Sequence, residues 1–234
     1  MTALFRWPDA AKVGRELTKE RLYKEGSVSA SVRRRFIEEV QRVRWAYKLG
    51  EESVHLRGSD DVPEVQVFEV ELKGDDVSDT VLASIDKAVP SPIIFELHRT
   101  RAGRHEVQPA AARKHRRQTG ATVGDYLRGE WTVDLPDRDP LPPAIDLPGL
   151  YTQLMFTLLP IAARRGEDLS AALDRLAAAR KLRRELDSLD KRMQREPQFN
   201  RKVDLRAQLR ACRAELETVL SSTAPPSQES QWKN

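Results

Sequence analysis

From residue 168 to 219 the apolar residues recur every three or four positions, and this period constrains the fold more than any other feature of the chain. Leu169, Leu173 and Leu176 lead to Leu182, Leu186, Leu189 and Met193; after Pro197 the pattern resumes at Leu205, Leu209, Cys212, Leu216 and Val219. Such steps draw one apolar stripe along a helix, and a second stripe of the same kind is what buries it. Proline interrupts a helix, so the sequence predicts two antiparallel helices joined near residues 196–200. The expected product is a coiled-coil hairpin with Leu186, Leu189, Leu209 and Leu216 in its seam. Cys212, the single cysteine, falls in that seam, which leaves no disulfide framework and no cysteine-based zinc site.

Ahead of the hairpin the period changes. Residues 64–73, EVQVFEVELK, alternate strictly, with Phe68, Val70 and Leu72 on one side and Glu69, Glu71 and Lys73 on the other, the pattern of a half-buried strand. A short helix follows, carrying Val77, Val81, Leu82 and Ile85, and ends before Pro90 because proline disfavours the helical conformation in its predecessor. Residues 93–98, IIFELH, read as a second strand, with weaker strands at 104–108 and 130–135 and a Gly-containing turn at 101–104. Upstream, Val32, Phe36, Val40, Val43 and Tyr47 recur at helical spacing and Gly50 stands where a C-terminal cap belongs, which predicts one helix from Ser31 to about residue 49. The order of elements argues for an α+β fold with a mixed or antiparallel sheet and flanking helices. The boundaries expected are a body at 1–135, a proline-rich connector at 136–149, helices at 150–220 opening with one at about 150–159, and a disordered tail at 221–234.

Charge is partitioned rather than balanced. The chain carries a net +4, yet residues 51–98 sum to −9 and residues 99–128 to +6. Separate fields of this size steer polyanions and basic partners to different surfaces, or let basic segments lie on an acidic sheet. Charges within the first ten residues argue against a signal peptide. The longest apolar run, 154–163, contains Pro160 and is too short for a membrane span. The expectation is a cytoplasmic protein with no membrane contact.

The densest cationic run is Arg113, Lys114, His115, Arg116 and Arg117, which reads as a loop able to contact nucleic-acid phosphates or an acidic protein partner, and equally as a solvated loop. Arg34, with Arg33 and Arg35, stands in a first helical turn where the helix dipole disfavours cations, and Trp45 shares its side of the expected helix; either the sheet or another helix covers Trp45 and the arginines are solvated, or this is a stacking and phosphate-binding surface. Glu71-Leu72-Lys73 is the Glu-x-Lys arrangement of restriction-endonuclease-like nucleases, in which the carboxylate holds Mg²⁺ and the lysine orients a water. Such a site needs a second acid; Asp60 and Asp61 sit in a segment that reads as a turn, and Glu38 or Glu39 is the helical alternative. The same three residues equally describe a solvated strand face with neighbouring opposite charges. His55, His98, His105 and His115 have no zinc-ligand spacing, so no metal is assigned outside the nuclease reading. Phosphate loops, dinucleotide fingerprints and nucleophile elbows are missing from the sequence.

The stretches WAYKL at 45–49, VQVFEVELK at 65–73, IDKAVPSPIIFEL at 85–97, LYTQLMFTLLP at 150–160 and QFNRKVDL at 198–205 together resemble one uncharacterised bacterial family, the domains of unknown function numbered four-three-nine-one. The resemblance spans nearly the whole chain. It departs at Thr18-Lys19, where a Pro-Lys pair is expected, and at Pro197, where lysine is commoner. It implies a gene beside helicases and DNA methyltransferases of restriction-modification or phage-defence loci. The function it implies is an accessory, non-catalytic subunit binding such a helicase or methyltransferase, with DNA as a further partner. A metal-dependent nuclease built on Asp61, Glu71 and Lys73, and a structural dimer formed through the hairpin, are the alternatives.

Overall fold

A computed structural model describes residues 4–26, 28–117 and 120–221, with backbone alone at 24–25, 115–117 and 120–122. Of the predicted disordered tail at 221–234, all but Ser221 lies outside the described residues. The chain divides into two compact units, Met1–Leu159 and Pro160–Asn234.

The first unit is built on a seven-stranded sheet. Its elements are β1 (Lys12–Leu17), α1 (Lys19–Glu25), α2 (Ala30–Glu39), β2 (Val40–Leu49), α3 (Glu51–Val54), β3 (Val65–Leu72), α4 (Asp79–Ala88), β4 (Ile93–Arg101), β5 (Arg104–Arg117), β6 (Gly120–Arg128), β7 (Thr132–Val133) and α5 (Leu147–Thr157). The strands lie in the order β1-β2-β3-β4-β5-β6, with β7 paired to β5. Every neighbouring pair is antiparallel except β3 and β4, which run parallel because α4 carries the chain back between them. The α+β expectation, the strand at 64–73, the helix ending before Pro90 and the strand at 93–98 all hold.

The helix expected from Ser31 to residue 49 does not run its length. Ser29 caps α2 by accepting a hydrogen bond from Val32 N, and the helix stops at Glu39, where Val40 turns extended and begins a ten-residue strand. The physical reason lies in two β-bulges. The pairing steps from Val40↔Leu72 to Arg42↔Glu71 and from Trp45↔Phe68 to Tyr47↔Val67, each step passing one unpaired residue. An extra residue in a strand spaces its inward side chains by three instead of two, and Val40 and Val43 thereby imitate a helical face. The cationic run at 113–117 is likewise no loop, since β5 continues to Arg117 and pairs with β6.

Alternation decides what each face of the sheet carries. Phe68, Val70 and Leu72 of β3, Ile93, Phe95 and Leu97 of β4, and Ala110 and Ala112 of β5 pack with Phe36, Val81, Leu82 and Ile85 beneath α1, α2 and α4. Fully burying a side chain such as Phe95 or Ile85 stabilises the unit by about 1.5–3 kcal/mol. The turn between β4 and β5 places Ala102 at φ 49 and Gly103 at φ 75, left-handed values at both central positions that match the right-handed strand twist and fix the register Arg101↔Arg104.

The second unit holds α6 (Leu169–Arg195) and α7 (Phe199–Leu220), packed against each other as the predicted hairpin. Leu182, Leu189, Leu205, Leu209 and Cys212 fill the seam, flanked by Leu186, Met193, Leu216 and Val219. Asp168 caps α6 through Ala171 N. Arg164 closes the same, open end of the hairpin, donating to the Thr218, Val219 and Ser221 carbonyls that the end of α7 leaves without helical partners. Among the described residues no helix is long and apolar enough to cross a membrane.

Candidate functional site

On the face of the sheet opposite α1, α2 and α4 the alternation delivers charge instead of hydrocarbon. Arg42 and Arg44 of β2 stand opposite Glu71 and Glu69 of β3, with ion pairs at 3.0 and 3.5 Å. β3 in turn sets Glu69 beside Glu96 and Glu71 beside His98 of β4. Tyr47, Trp7, His105, Asp134 and Arg138 share the wall of a polar cavity of about 470 Å³ with Arg42, Arg44, Glu69, Glu71 and His98. Clusters of ionisable groups in a cleft are where perturbed protonation gathers, so this is the candidate site.

Glu96 is its hub. Only 2 % exposed, it accepts hydrogen bonds from Trp7 Nε1 at 2.7 Å and from Arg138 Nη1 at 2.9 Å on Oε1 and 3.0 Å on Oε2. Burial pushes the Glu96 carboxyl above its ordinary range, and Arg138 and Trp7 work against that rise. Arg138 also donates to Asp134 Oδ1 at 3.0 Å, which ties the segment after β7 to the sheet.

His98, 9 % exposed, lies one alternation step from Glu96 on the same face. Its Nδ1 is 3.0 Å from Nε2 of His105, a diagonal neighbour across the β4–β5 pair, and the two rings stack. Burial first, and the adjacent His105 second, lower the pKa of His98 to about 4, so its imidazole is neutral at pH 7 and offers one donor and one acceptor. Two groups here bring ligand atoms within 4.8 Å of one another, Glu69 with Glu96 and His98, and His98 with His105 and Asp134. Sequence spacing concealed both, because strand pairing brings the histidines together. The one available signal was Glu96, an acid inside the otherwise apolar run IIFEL.

The residues singled out from sequence are placed differently. Glu71 bonds Arg42, and Lys73 Nζ donates to the Ile37 carbonyl at 2.7 Å. Asp60 and Asp61 lie in a bend before β3, whereas Glu71 is near the strand's far end, about 20 Å along at ~3.3 Å per residue. Asp61 is therefore not brought to Glu71 and Lys73, which line one cavity with Asp75 and His98. Glu39 instead accepts from the backbone N and Oγ of Ser78 at the start of α4, and Glu38 is exposed on α2. Arg34 is exposed on α2, while Trp45 packs against the core from β2, so the expected shared stacking surface is not formed.

Lys114 is the clearest correction within the cationic run. Its side chain is 1 % exposed and pairs with Asp86 Oδ1 at 2.7 Å, while Nζ donates at 2.8 Å to the carbonyls of Asp86, Val89 and Ser91. Inward alternation on β5 buries it beneath the end of α4, where a cation satisfies the terminal carbonyls. Burial drives Lys114 downward and Asp86 upward from their ordinary pKa values, against their mutual attraction. Tyr126 Oη donates to the other Asp86 oxygen at 2.5 Å. Lys114 is thus turned into the fold, not presented to solvent as the loop reading places it. Arg113 is half-buried, and the side chains of Arg116 and Arg117 lie outside the described residues.

Against known proteins, the model of a domain of unknown function (DUF4391) matches residues 5–216. No curated protein and no solved structure matches the chain.

Proposed function

The chain belongs to the DUF4391 family, and from that premise we propose that it is an accessory, non-catalytic subunit of a DNA-modification or phage-defence system, binding a helicase or DNA methyltransferase and touching DNA. The observation that carries the non-catalytic half is the neighbourhood of Glu71. In the register of β2 and β3 its partner is Arg42, a cation where a nuclease needs its second acid, and Lys73 is held on a backbone carbonyl. The α6–α7 hairpin supports the docking half. Phe199 and Val203 at the start of α7 are 73 % and 45 % exposed, an apolar pair that a partner would cover. The remaining cations of the basic run, Arg113, Arg116 and Arg117, together with Arg34, are the proposed DNA contacts.

Affinity purification of the full chain from its native host tests this reading, with recovery of a helicase or methyltransferase expected and lost in the Phe199→Ser, Val203→Ser variant. Alongside it, the purified protein is expected to leave DNA intact in Mg²⁺ or Mn²⁺. Recovery of neither partner, or cleavage abolished by Glu71→Gln and by Lys73→Ala in folded protein, refutes the accessory role.

A further inference from the structure

We propose that Glu69, Glu96 and His98 hold one divalent transition-metal ion on the open face of the sheet. The inference stands independently of the accessory role. One ligand atom of each residue lies within 4.8 Å of the other two. The parallel register of β3 and β4 forces this closeness, setting Glu69 directly beside Glu96, with His98 one alternation step further along β4. The two carboxylates repel each other at this spacing, and Arg44, 3.5 Å from Glu69, and Arg138, 2.9 Å from Glu96, offset part of that repulsion from outside the pair.

Trp7 and Arg138 already hold Glu96, but they leave it capacity. Oε1 accepts from Trp7 Nε1 and Arg138 Nη1, whereas Oε2 accepts from Arg138 Nη1 at 3.0 Å. A carboxylate offers about four lone-pair positions, so Oε2 retains one. These bonds fix the carboxylate's orientation, as hydrogen bonds from the outer shell do for metal-ligating carboxylates.

The second observation is His98 Nε2. It is buried with no hydrogen-bond partner among the described residues, and it lies 3.8 Å from Glu96 Oε2. That separation is too long for a hydrogen bond. It suits two ligands of one ion, since atoms about 2.0–2.2 Å from a common metal are at most about 4.4 Å apart. The other ring nitrogen, Nδ1, meets His105 Nε2 at 3.0 Å. The tautomer that donates Nδ1–H to His105 turns the Nε2 lone pair toward the two carboxylates, and a ligating histidine anchored through its other nitrogen is the usual outer-shell arrangement.

One imidazole with two carboxylates suits Zn²⁺, Mn²⁺, Fe²⁺ or Co²⁺ better than Mg²⁺ or Ca²⁺. Three protein ligands leave positions open, for water or an oxygen of a bound ligand. The neighbouring group of His98, His105 and Asp134 is the rival. It shares His98, and two of its members already bond to each other.

The test uses the full chain, stripped with EDTA, dialysed, and titrated calorimetrically with Zn²⁺ and separately with Mn²⁺. One ion per chain is expected. His98→Gln and Glu69→Gln should each weaken binding roughly 100-fold or more, and Asp134→Asn by no more than about 10-fold. Thermal melting shows whether each variant is folded, and Glu69→Gln is the deciding one because Glu96 also anchors Trp7 and Arg138. Absence of stoichiometric binding by the wild-type chain overturns the proposal. So does a loss in Asp134→Asn as large as that in Glu69→Gln.

Discussion

Replacing Lys114 by methionine keeps most of the side chain's volume and removes its charge. The wild-type ammonium makes a 2.7 Å ion pair with Asp86 and three 2.8 Å hydrogen bonds to carbonyls at the end of α4. Breaking a buried pair from one side costs about 3–5 kcal/mol, because the partner charge is left buried. Tyr126 still donates to Asp86, which offsets part of that. The three carbonyls lose their donor, at about 1 kcal/mol or more for each one that water does not reach. A destabilisation of at least about 4 kcal/mol is expected, and a unit of this size loses roughly 2–4 °C in Tm per kcal/mol, so Tm should fall by about 10 °C. Urea unfolding followed by tryptophan fluorescence measures the free energy, and calorimetry the Tm. Adding Asp86→Leu should restore part of the loss, since removing both charges leaves no unpaired ion. A Lys114→Met protein within about 1 kcal/mol of wild type would refute the anchoring role. Normal stability with weakened DNA binding would return Lys114 to the interface.

Two further outcomes follow from the same reasoning. The Arg175 guanidinium, bonded to Glu167 at 2.7 Å, holds that carboxyl below the ordinary glutamate value of 4.5, so the pair contributes stability above that value and loses it as pH falls through the lowered one. Acid titration of α6–α7 stability by far-UV circular dichroism should be flatter in Glu167→Gln, and an unchanged acid limb would count against the pair. If the β5 cations touch DNA, the Arg113→Ala, Arg116→Ala, Arg117→Ala variant, which spares Lys114, should lower the salt dependence of log K by up to about 2.7, and an unchanged slope removes this strand from the interface.

The hairpin was legible because its signal is local. A three-and-four repeat over fifty residues leaves one way to bury its stripe, and Leu189, Leu205 and Leu209 meet as the period requires. β3 was legible for the same reason, with strict alternation of Phe68, Val70 and Leu72 against acids. β2 was not, since its bulges at Gln41 and Ala46 break the period of two and supply false helical intervals. The open-face site was hidden more deeply. Glu69 meets Glu96 only through the register of a parallel pair set by α4, and His98 meets His105 only through the Ala102-Gly103 turn. Lys114 was misread because a run of cations looks solvated whichever way alternate members point, and in a strand every second one points inward.

Glu96 draws hydrogen bonds from Trp7, 89 residues earlier, and from Arg138, 42 residues later. During synthesis at roughly 5–20 residues per second, about 2–8 s separate the appearance of Glu96 from that of Arg138. Through that interval the carboxylate has only the indole N–H to replace its water, which favours keeping the middle of β4 hydrated and the sheet unconsolidated. The α6–α7 hairpin, by contrast, consists of contacts close in sequence and can form as soon as α7 has emerged. Synthesis thus delivers a slow, long-range unit first and a fast, local one last, and the final closure of the sheet around Glu96 coincides with the arrival of the proline-rich segment that carries Arg138.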